Sequence, residues 1–309
     1  MPITSPLNGQ VMIEINSYTT VKRRERVPHD IFATYWRDVH GPLCSRLPGL
    51  GLYIQHHFSR NQDAHLWPLA DGIKEIGDYE LDGGVEIGFA SAQDQKQFQA
   101  VCPILFSDEQ NMFEETLAYD LPDGSATVVN RLNDEKFNGT DRFDRIHVHF
   151  SPRTSLATLH EYIANDLAKV LAGAEDVLKL RLHLNHPFNN DGMHPPAPNV
   201  AHHADTARAE LVVMEIAFES PLARRRFFES PVFQATLAAQ SEHIAQLKAF
   251  AVSGLYTYVR DGEITTAGLR GSRAAELIEY LGAVNQRTPE VEHLLLKGVL
   301  SAAESKNAS

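Results

Sequence analysis

Histidine is the residue type in this sequence that most suggests chemistry, with 15 among 309 residues. Its imidazole transfers protons and binds metal ions near neutral pH. One histidine, His40, lies in the segment YWRDVHGPL at residues 35–43. Helical spacing from Phe32 and Trp36 places it in the apolar stripe of a predicted helix, two residues before Pro42 interrupts that helix. An imidazole in such a position is suited to act as a general acid or base.

A second group of polar residues alternates with aliphatic ones along three predicted strands of the second half. In RIHVHF, KLRLHLN and VMEIAF, the aliphatic side chains share one face and the polar side chains share the other. The aliphatic face is expected to lie under helices, and the polar face to point toward an opposing sheet. The polar residues of interest are His147, His149, His183 and Glu215. They fit a metal site or a buried network of ion pairs, and the sequence leaves both open.

The two halves of the chain follow one plan. GVEIGFASAQDQKQF (84–98) aligns with VMEIAFESPLARRRF (213–227), so that Glu86 matches Glu215. Each half reads strand, helix, strand, long loop, strand, helix, strand, which is the split βαβ order. Two such units bury their bare sheet faces against each other. We therefore predict an α+β fold in which two ferredoxin-like repeats pack sheet to sheet as an intrachain α+β barrel, followed by a C-terminal helical extension.

The repeat also sets the expected domain boundaries. They are residues 1–135 for the first repeat, 136–268 for a degenerate second repeat and 269–309 for the helical extension and tail. The last strand is predicted at 255–259 in the second half, with 126–132 as its weaker counterpart in the first.

The same alternation sorts the first half into two faces. Two long loops, 61–78 and 186–207, occupy equivalent positions and are either lids over a pocket or surface excursions. The residues predicted to face into the barrel are Glu14, Asn16, Tyr18, Tyr53, Gln55, His57 and Glu86, with His56 on the helix side beside His40.

Composition excludes several classes of function. The net charge of −12 argues against a nucleic-acid partner, and the apolar runs are too short for a membrane-spanning helix. No secretory leader is visible, and Cys44 and Cys102 are expected to be reduced thiols of a cytoplasmic protein. A P-loop, a G-x-G-x-x-G fingerprint and a haem-attachment motif are all missing from the sequence, so we expect no cofactor.

The first half resembles the EthD family of the dimeric α+β barrel superfamily. The resemblance covers about residues 11–120, whereas in the second half Leu167 or a neighbour occupies the position of His40. It therefore implies a fused tandem with the main site in the first half. The residues that carry it are Trp36, His40, Pro42, Leu43, the LPGL of 47–50, Asp82, Gly83 and Glu86.

This resemblance implies a cofactor-independent lyase or isomerase of the decarboxylase, dehydratase or cyclase type. The substrate would be a small aromatic or polyketide-like compound. The alternatives are a cofactor-independent monooxygenase of phenols, a metal-dependent enzyme using the barrel histidines, and a non-catalytic ligand-binding barrel. A homodimer is possible but is not required, because the fused repeats already form a barrel. The predicted catalytic residues are His40, His57 and Glu86, and the predicted substrate-binding residues are Tyr35, Trp36, Tyr53, Gln55 and His56.

Overall fold

A computed structural model describes residues 13–60, 66–132, 136–188, 197–203 and 208–299. Strands dominate these segments. In chain order they are β1 (Ile15–Arg23), β2 (Leu50–Phe58), β3 (Lys74–Glu75), β4 (Gly83–Phe89), β5 (Phe113–Leu121), β6 (Ala126–Asn130), β7 (Asn138–Thr140), β8 (Asp144–Pro152), β9 (Lys179–His183), β10 (His186–Pro187), β11 (Val212–Phe218), β12 (Ile244–Arg260) and β13 (Glu263–Ile264).

The helices lie between these strands and after the last of them. In chain order they are α1 (His29–Tyr35), α2 (Gly41–Ser45), α3 (Ala92–Val101), α4 (Pro103–Glu109), α5 (Leu156–Tyr162), α6 (Ala168–Gly173), α7 (Pro221–Glu229), α8 (Pro231–Gln234), α9 (Leu237–His243), α10 (Thr266–Arg270), α11 (Ser272–Tyr280) and α12 (Pro289–Lys297), with π turns at Trp36–His40 and Ile163–Leu167 and a 3₁₀ turn at Val284–Arg287.

Each half forms a four-stranded antiparallel sheet of the ferredoxin-like order. The first half is ordered β5-β1-β4-β2 and the second β12-β8-β11-β9, so the two arrangements are equivalent. Helices α1 to α4 cover the first sheet, and α5 to α9 cover the second. The aligned serines Ser91 and Ser220 cap α3 and α7 by accepting a backbone N–H bond three residues on. The predicted α+β fold of two repeats is therefore confirmed.

The sheets are joined at their edges by strands that extend from one half to the other. Strand β12 is 17 residues long and pairs first with β8 of its own half and then with β2 of the first half. After a short turn, β5 is followed by β6, which pairs with β9 of the second half. The two junctions close the barrel within one chain.

These junctions correct the predicted last strands. The fourth strand of the first half is β5, whereas 126–130 is an extension that pairs across to the other sheet. Likewise, 255–259 is only the C-terminal part of β12 and pairs with the first half. The residue pattern of a strand does not reveal where one pairing partner ends and another begins. The two segments predicted as last strands are therefore the segments that pair with the opposite half.

The long loops are exchanged between the halves. Leu66 and Trp67, from the first half, pack in the core of the second half. Ala197 and Val200, from the second half, pack in the core of the first, where β10 also pairs with β5. Residues 61–65, 189–196 and 204–207 of these loops lie outside the described residues. The described part of each loop thus packs against the core of the opposite half.

The C-terminal helices follow the second repeat. Helix α10 packs on α2 and β12, and α11 packs on β7. The predicted tail lies outside the described residues, as do residues 1–12, and the predicted domain boundaries remain predictions. Among the described helices, we find none with the length and apolar character needed to cross a bilayer.

Candidate active site

A cavity of about 700 Å³ lies between the sheet of the first half and its covering helices. Its floor is formed by the helix-facing side chains of β1, β4 and β5, and its roof by the π turn Trp36–His40, α2, α3 and α4 with residues from the exchanged loop. Aromatic and aliphatic side chains make up most of the wall. These lining side chains include Val21, Trp36, Tyr53, Val85, Phe89, Phe98, Leu105, Phe106 and Phe113.

His40 is placed on the cavity wall by an irregular helix. Pro42 lacks an amide hydrogen, and the helix passes through the π turn Trp36–His40 before continuing as α2. At Gly41, an added Cβ would lie 2.5 Å from the ring of Tyr258, so only glycine allows this close approach. The Tyr258 hydroxyl donates a hydrogen bond to the Arg37 carbonyl and holds the turn against β12.

Asp108 is the direct partner of His40. Its Oδ2 lies 2.8 Å from His40 Nδ1, and the Tyr35 hydroxyl donates a 2.5 Å hydrogen bond to Oδ1. Burial alone would raise the pKa of Asp108, but the hydrogen bonds from His40 and Tyr35 outweigh it and hold the pKa below its usual value. An ionised Asp108 accepts the Nδ1 hydrogen of His40, which leaves the lone pair on Nε2. His40 itself is 6% exposed and packs edge-on against Phe113.

A second pair of histidine and carboxylate lies on the same cavity. His202 Nε2 is 3.8 Å from Glu109 Oε2, and His202 Nδ1 forms a 2.9 Å hydrogen bond with the Thr116 hydroxyl. Burial, followed by the charge of Asp108, raises the pKa of Glu109 to about 8. Burial also lowers the pKa of His202. Both shifts favour the uncharged forms, the protonated carboxyl of Glu109 and the neutral imidazole of His202.

The predicted site residues do not form a single site. His40, Trp36 and Tyr53 line the cavity, whereas Tyr35 does not line it and is linked to His40 through Asp108. Cys44 and Cys102 also line it as free thiols, and burial, followed by the charge of Glu109, raises the pKa of Cys102 to about 12.

The predicted faces of β2 were wrong. His57 stacks on Trp36 with ring centroids 4.1 Å apart, and Gln55 donates to the Trp36 carbonyl and the Tyr53 hydroxyl, so these side chains point toward the helices. His56 points into the barrel. Every residue of β2 is buried, and a strand that is buried on both faces gives no polarity signal by which to choose its inward side.

Glu86, by contrast, faces away from His57 and from the cavity. It lies in the barrel interior, where Arg181 contacts both its carboxylate oxygens at 2.7–3.1 Å. His56 Nε2 is 3.6 Å from Glu86 Oε1. The predicted catalytic residues His40, His57 and Glu86 therefore do not share one site, because Glu86 lies on the opposite face of the sheet from the other two.

The second-half polar residues lie where the alternation placed them, inside the barrel. His147 and His149 are held through Nδ1 by the hydroxyls of Tyr18 and Tyr79, each at 2.8 Å. His183 Nδ1 is held at 2.8 Å by Ser125. Arg145 and Lys179 contact Glu215. Burial penalises its charge, but these two cations outweigh that cost and hold the pKa of Glu215 well below its usual value.

Two polar residues of the cavity wall, Glu109 and His202, were not predicted from sequence, nor was Asp108, the hydrogen-bond partner of His40. Asp108 and Glu109 end a short helix whose apolar members, Leu105 and Phe106, face the cavity. An adjacent acidic pair is typical of a solvated helix end, so the sequence carried no signal of their burial. His202 belongs to a loop of the other half, and only the loop exchange brings it to this cavity.

Comparison with family models and with curated proteins finds no match to this chain. Among solved structures, it is similar to an anthrone oxidase-like protein, with 8% identity over 84% of this chain and 98% of that chain and a TM-score of 0.50. A dye-decolorizing peroxidase from Bacteroides thetaiotaomicron VPI-5482 shares 12% identity over 80% and 97% of the two chains, with a TM-score of 0.40. The first likeness concerns the fold alone, and the chain folds as a ferredoxin-like α+β barrel.

Proposed function

We propose that this protein is a cofactor-independent lyase or isomerase that acts on a small aromatic or polyketide-like compound in the first-half cavity. The observation that carries the proposal is His40, which lies on the wall of a cavity of about 700 Å³ and is hydrogen-bonded through Nδ1 to Asp108. Small-molecule sites fall in this range, roughly 300–1,000 Å³, and are mainly apolar with a few convergent polar groups. The aromatic walls favour a flat, unsaturated ligand.

His40 would act as the general base. The Asp108 carboxylate fixes the ring orientation and the tautomer, so that Nε2 accepts a proton from a phenol or an activated carbon of the substrate. Once protonated, the imidazolium is stabilised by the same carboxylate, as in other histidine–carboxylate pairs. Tyr35 supports Asp108 from its other oxygen.

Glu109 can supply the proton that a lyase or isomerase needs. These reactions need a proton donor in addition to a base, either for the leaving group or for a second carbon. A carboxyl group with a pKa of about 8 remains protonated at neutral pH and can give up its proton in the cavity.

The motif that resembles EthD supports the same location. Two of its residues, Trp36 and His40, line the cavity, and Glu86 lies in the barrel instead. We propose on this basis that the first half is related to that family. Glu86 would instead connect the two halves through its ion pair with Arg181.

Ligand binding is measurable through Trp36. The chain has two tryptophans, so Trp67→Phe leaves Trp36 as the sole fluorescent indole, on the cavity wall. Phenols and aromatic acids that change its emission would then be incubated with the wild-type protein, with mass spectrometry of products and an oxygen electrode. We expect products of unchanged mass or lacking water or carbon dioxide, without oxygen uptake. Oxygen incorporation would indicate the monooxygenase, and binding without turnover would indicate a carrier; each result contradicts the proposal.

A further inference from the structure

We propose that the barrel interior binds one divalent transition-metal ion through His56, His147 and Glu215. One potential ligand atom from each of these residues lies within 4.8 Å of the others. A second group, Glu86, His183 and Glu215, meets the same limit and shares Glu215. Two imidazoles and a carboxylate are a common donor set for zinc, iron and cobalt.

His147 has the arrangement expected of a metal ligand. Its Nδ1 forms a 2.8 Å hydrogen bond with the Tyr18 hydroxyl, whereas its Nε2 is buried and makes no hydrogen bond. Metal-bound histidines usually donate their other ring N–H to a neighbouring acceptor, which fixes the tautomer. A buried nitrogen without a hydrogen bond is costly in the absence of a ligand.

Glu215 and His56 present further buried donor atoms. Glu215 Oε2 has no hydrogen-bond partner, although Oε1 is paired with Arg145 and Lys179. Neither ring nitrogen of His56 makes a hydrogen bond, and Nε2 lies 3.6 Å from Glu86 Oε1. Both side chains are 1% exposed or less. Each of these three residues, from three different strands, thus carries a buried donor atom with no hydrogen-bond partner.

His183 offers a further imidazole at the edge of this set. Its Nδ1 is held by the Ser125 hydroxyl, and its Nε2 makes no hydrogen bond. Glu86 is less available, because Arg181 already contacts both its oxygens. We therefore place His183, rather than Glu86, as the fourth candidate ligand.

Charge determines which ions fit. The carboxylates of Glu86, Glu215 and Asp141 are each contacted by a cation, namely Arg181, Arg145 or Lys179. An added ion would meet little uncompensated negative charge. Magnesium and calcium depend on several oxygen ligands and would bind poorly. An ion that favours imidazole nitrogen, such as zinc or cobalt, gains from the histidines instead.

The site would join the two halves. His56 belongs to β2 of the first half, and His147 and Glu215 belong to β8 and β11 of the second. The first sheet separates this site from the His40 cavity, so the inference is independent of the proposed function. Because the ligands are almost inaccessible to solvent, the ion would enter during folding.

The experiment is refolding of the full chain with cobalt. Protein unfolded in guanidinium with a chelator is dialysed and refolded with or without Co²⁺, and zinc content is measured in protein expressed in zinc-supplemented medium. We expect one ion per chain, visible d–d absorption from cobalt bound in a low-symmetry site, and a higher unfolding midpoint with metal. Metal-free protein from both preparations would overturn the proposal.

Variants test the ligand assignment. His147→Gln and Glu215→Gln, checked by circular dichroism, should lose the bound ion. His149→Gln is the matched control, because His149 is equally buried and is held by Tyr79 through Nδ1 but belongs to neither group. Retention of metal in all three variants, or loss in His149→Gln alone, would refute the assignment. If the ligand variants do not fold, cobalt refolding of the wild type decides.

Discussion

The two halves share a fold but differ in what fills the space between sheet and helices. Both have a π turn at the same place in the first helix, and the turn ends at His40 in the first half and at Leu167 in the second. Leu167 is 1% exposed and belongs to a continuous apolar core. His40 instead pairs with a carboxylate beside a cavity. The fold thus accepts either residue, and packing alone does not require a histidine.

The exchanged loops produce the same contrast. In the second half, Trp67 from the opposite loop lies between sheet and helices, with its ring against Phe150, Phe228 and Phe233. In the first half, the corresponding loop supplies His202 to the wall of an open cavity. One loop closes a core and the other covers a pocket. This difference agrees with the proposal that the first half binds the ligand and the second half contributes stability.

The largest expected effect is on catalysis by the first half. His40→Asn should lower kcat/KM by about 10²–10⁴-fold, because general acid–base catalysis contributes that much. Circular dichroism should show an unchanged fold. A matched control is His160→Gln, which removes a helix histidine of the second half, and it should leave turnover intact. Full activity of His40→Asn would show that the cavity histidine is not the base.

The next effect concerns the second-half core. Trp67→Ala should lower the free energy of unfolding by about 3–5 kcal/mol, because a large buried aromatic leaves a cavity and Gln240 loses its indole hydrogen bond. Chemical denaturation measures this change. If the loop only covers the surface, the loss will be below about 1 kcal/mol.

Leu167 and His40 occupy equivalent helix positions, so the same substitution at both compares their contributions to stability directly. Leu167→Ala should cost about 2–5 kcal/mol of stability, as expected for a fully buried leucine. His40→Ala, at the equivalent position beside an existing cavity, should cost less. Denaturant midpoints of the two variants provide the comparison. Equal losses would mean that His40 serves packing in the same way as Leu167.

A pH dependence of stability should also arise from Glu109. Its pKa of about 8 in the folded chain exceeds the unfolded value near 4.5, so between these values the folded state holds a proton that the unfolded state has lost. Stability should therefore fall as pH rises through this window, by up to about 1.4 kcal/mol per pH unit. Glu109→Gln should flatten that slope in urea titrations at pH 5 to 8. An unchanged slope would show that Glu109 is ionised throughout.

Much of the fold followed from the sequence because it depends on patterns. Alternation in β8, β9 and β11 identified the barrel face of the second half, since aliphatic and polar residues there are cleanly separated. The aligned Glu86 and Glu215 revealed the repeat. In β2 the same method failed, because both faces are buried and His56 and His57 differ in no property that a pattern can detect.

The site was less predictable because it depends on distant contacts. His40 and Trp36 were identifiable from helix spacing together with the motif. Asp108 lies 68 residues from its partner His40, and His202 arrives from the other half on an exchanged loop. The burial that changes the pKa of Glu109 likewise arises only in the folded chain. Such pairings leave no trace in local sequence.

The most direct test of the central claim is a crystal structure with an aromatic ligand selected through Trp36 fluorescence. We predict that the ligand lies in the first-half cavity, with its ring against Trp36 and Phe113 and a polar atom within hydrogen-bond distance of His40 Nε2. A ligand bound in the second half or in the barrel interior, with this cavity empty, would contradict the account.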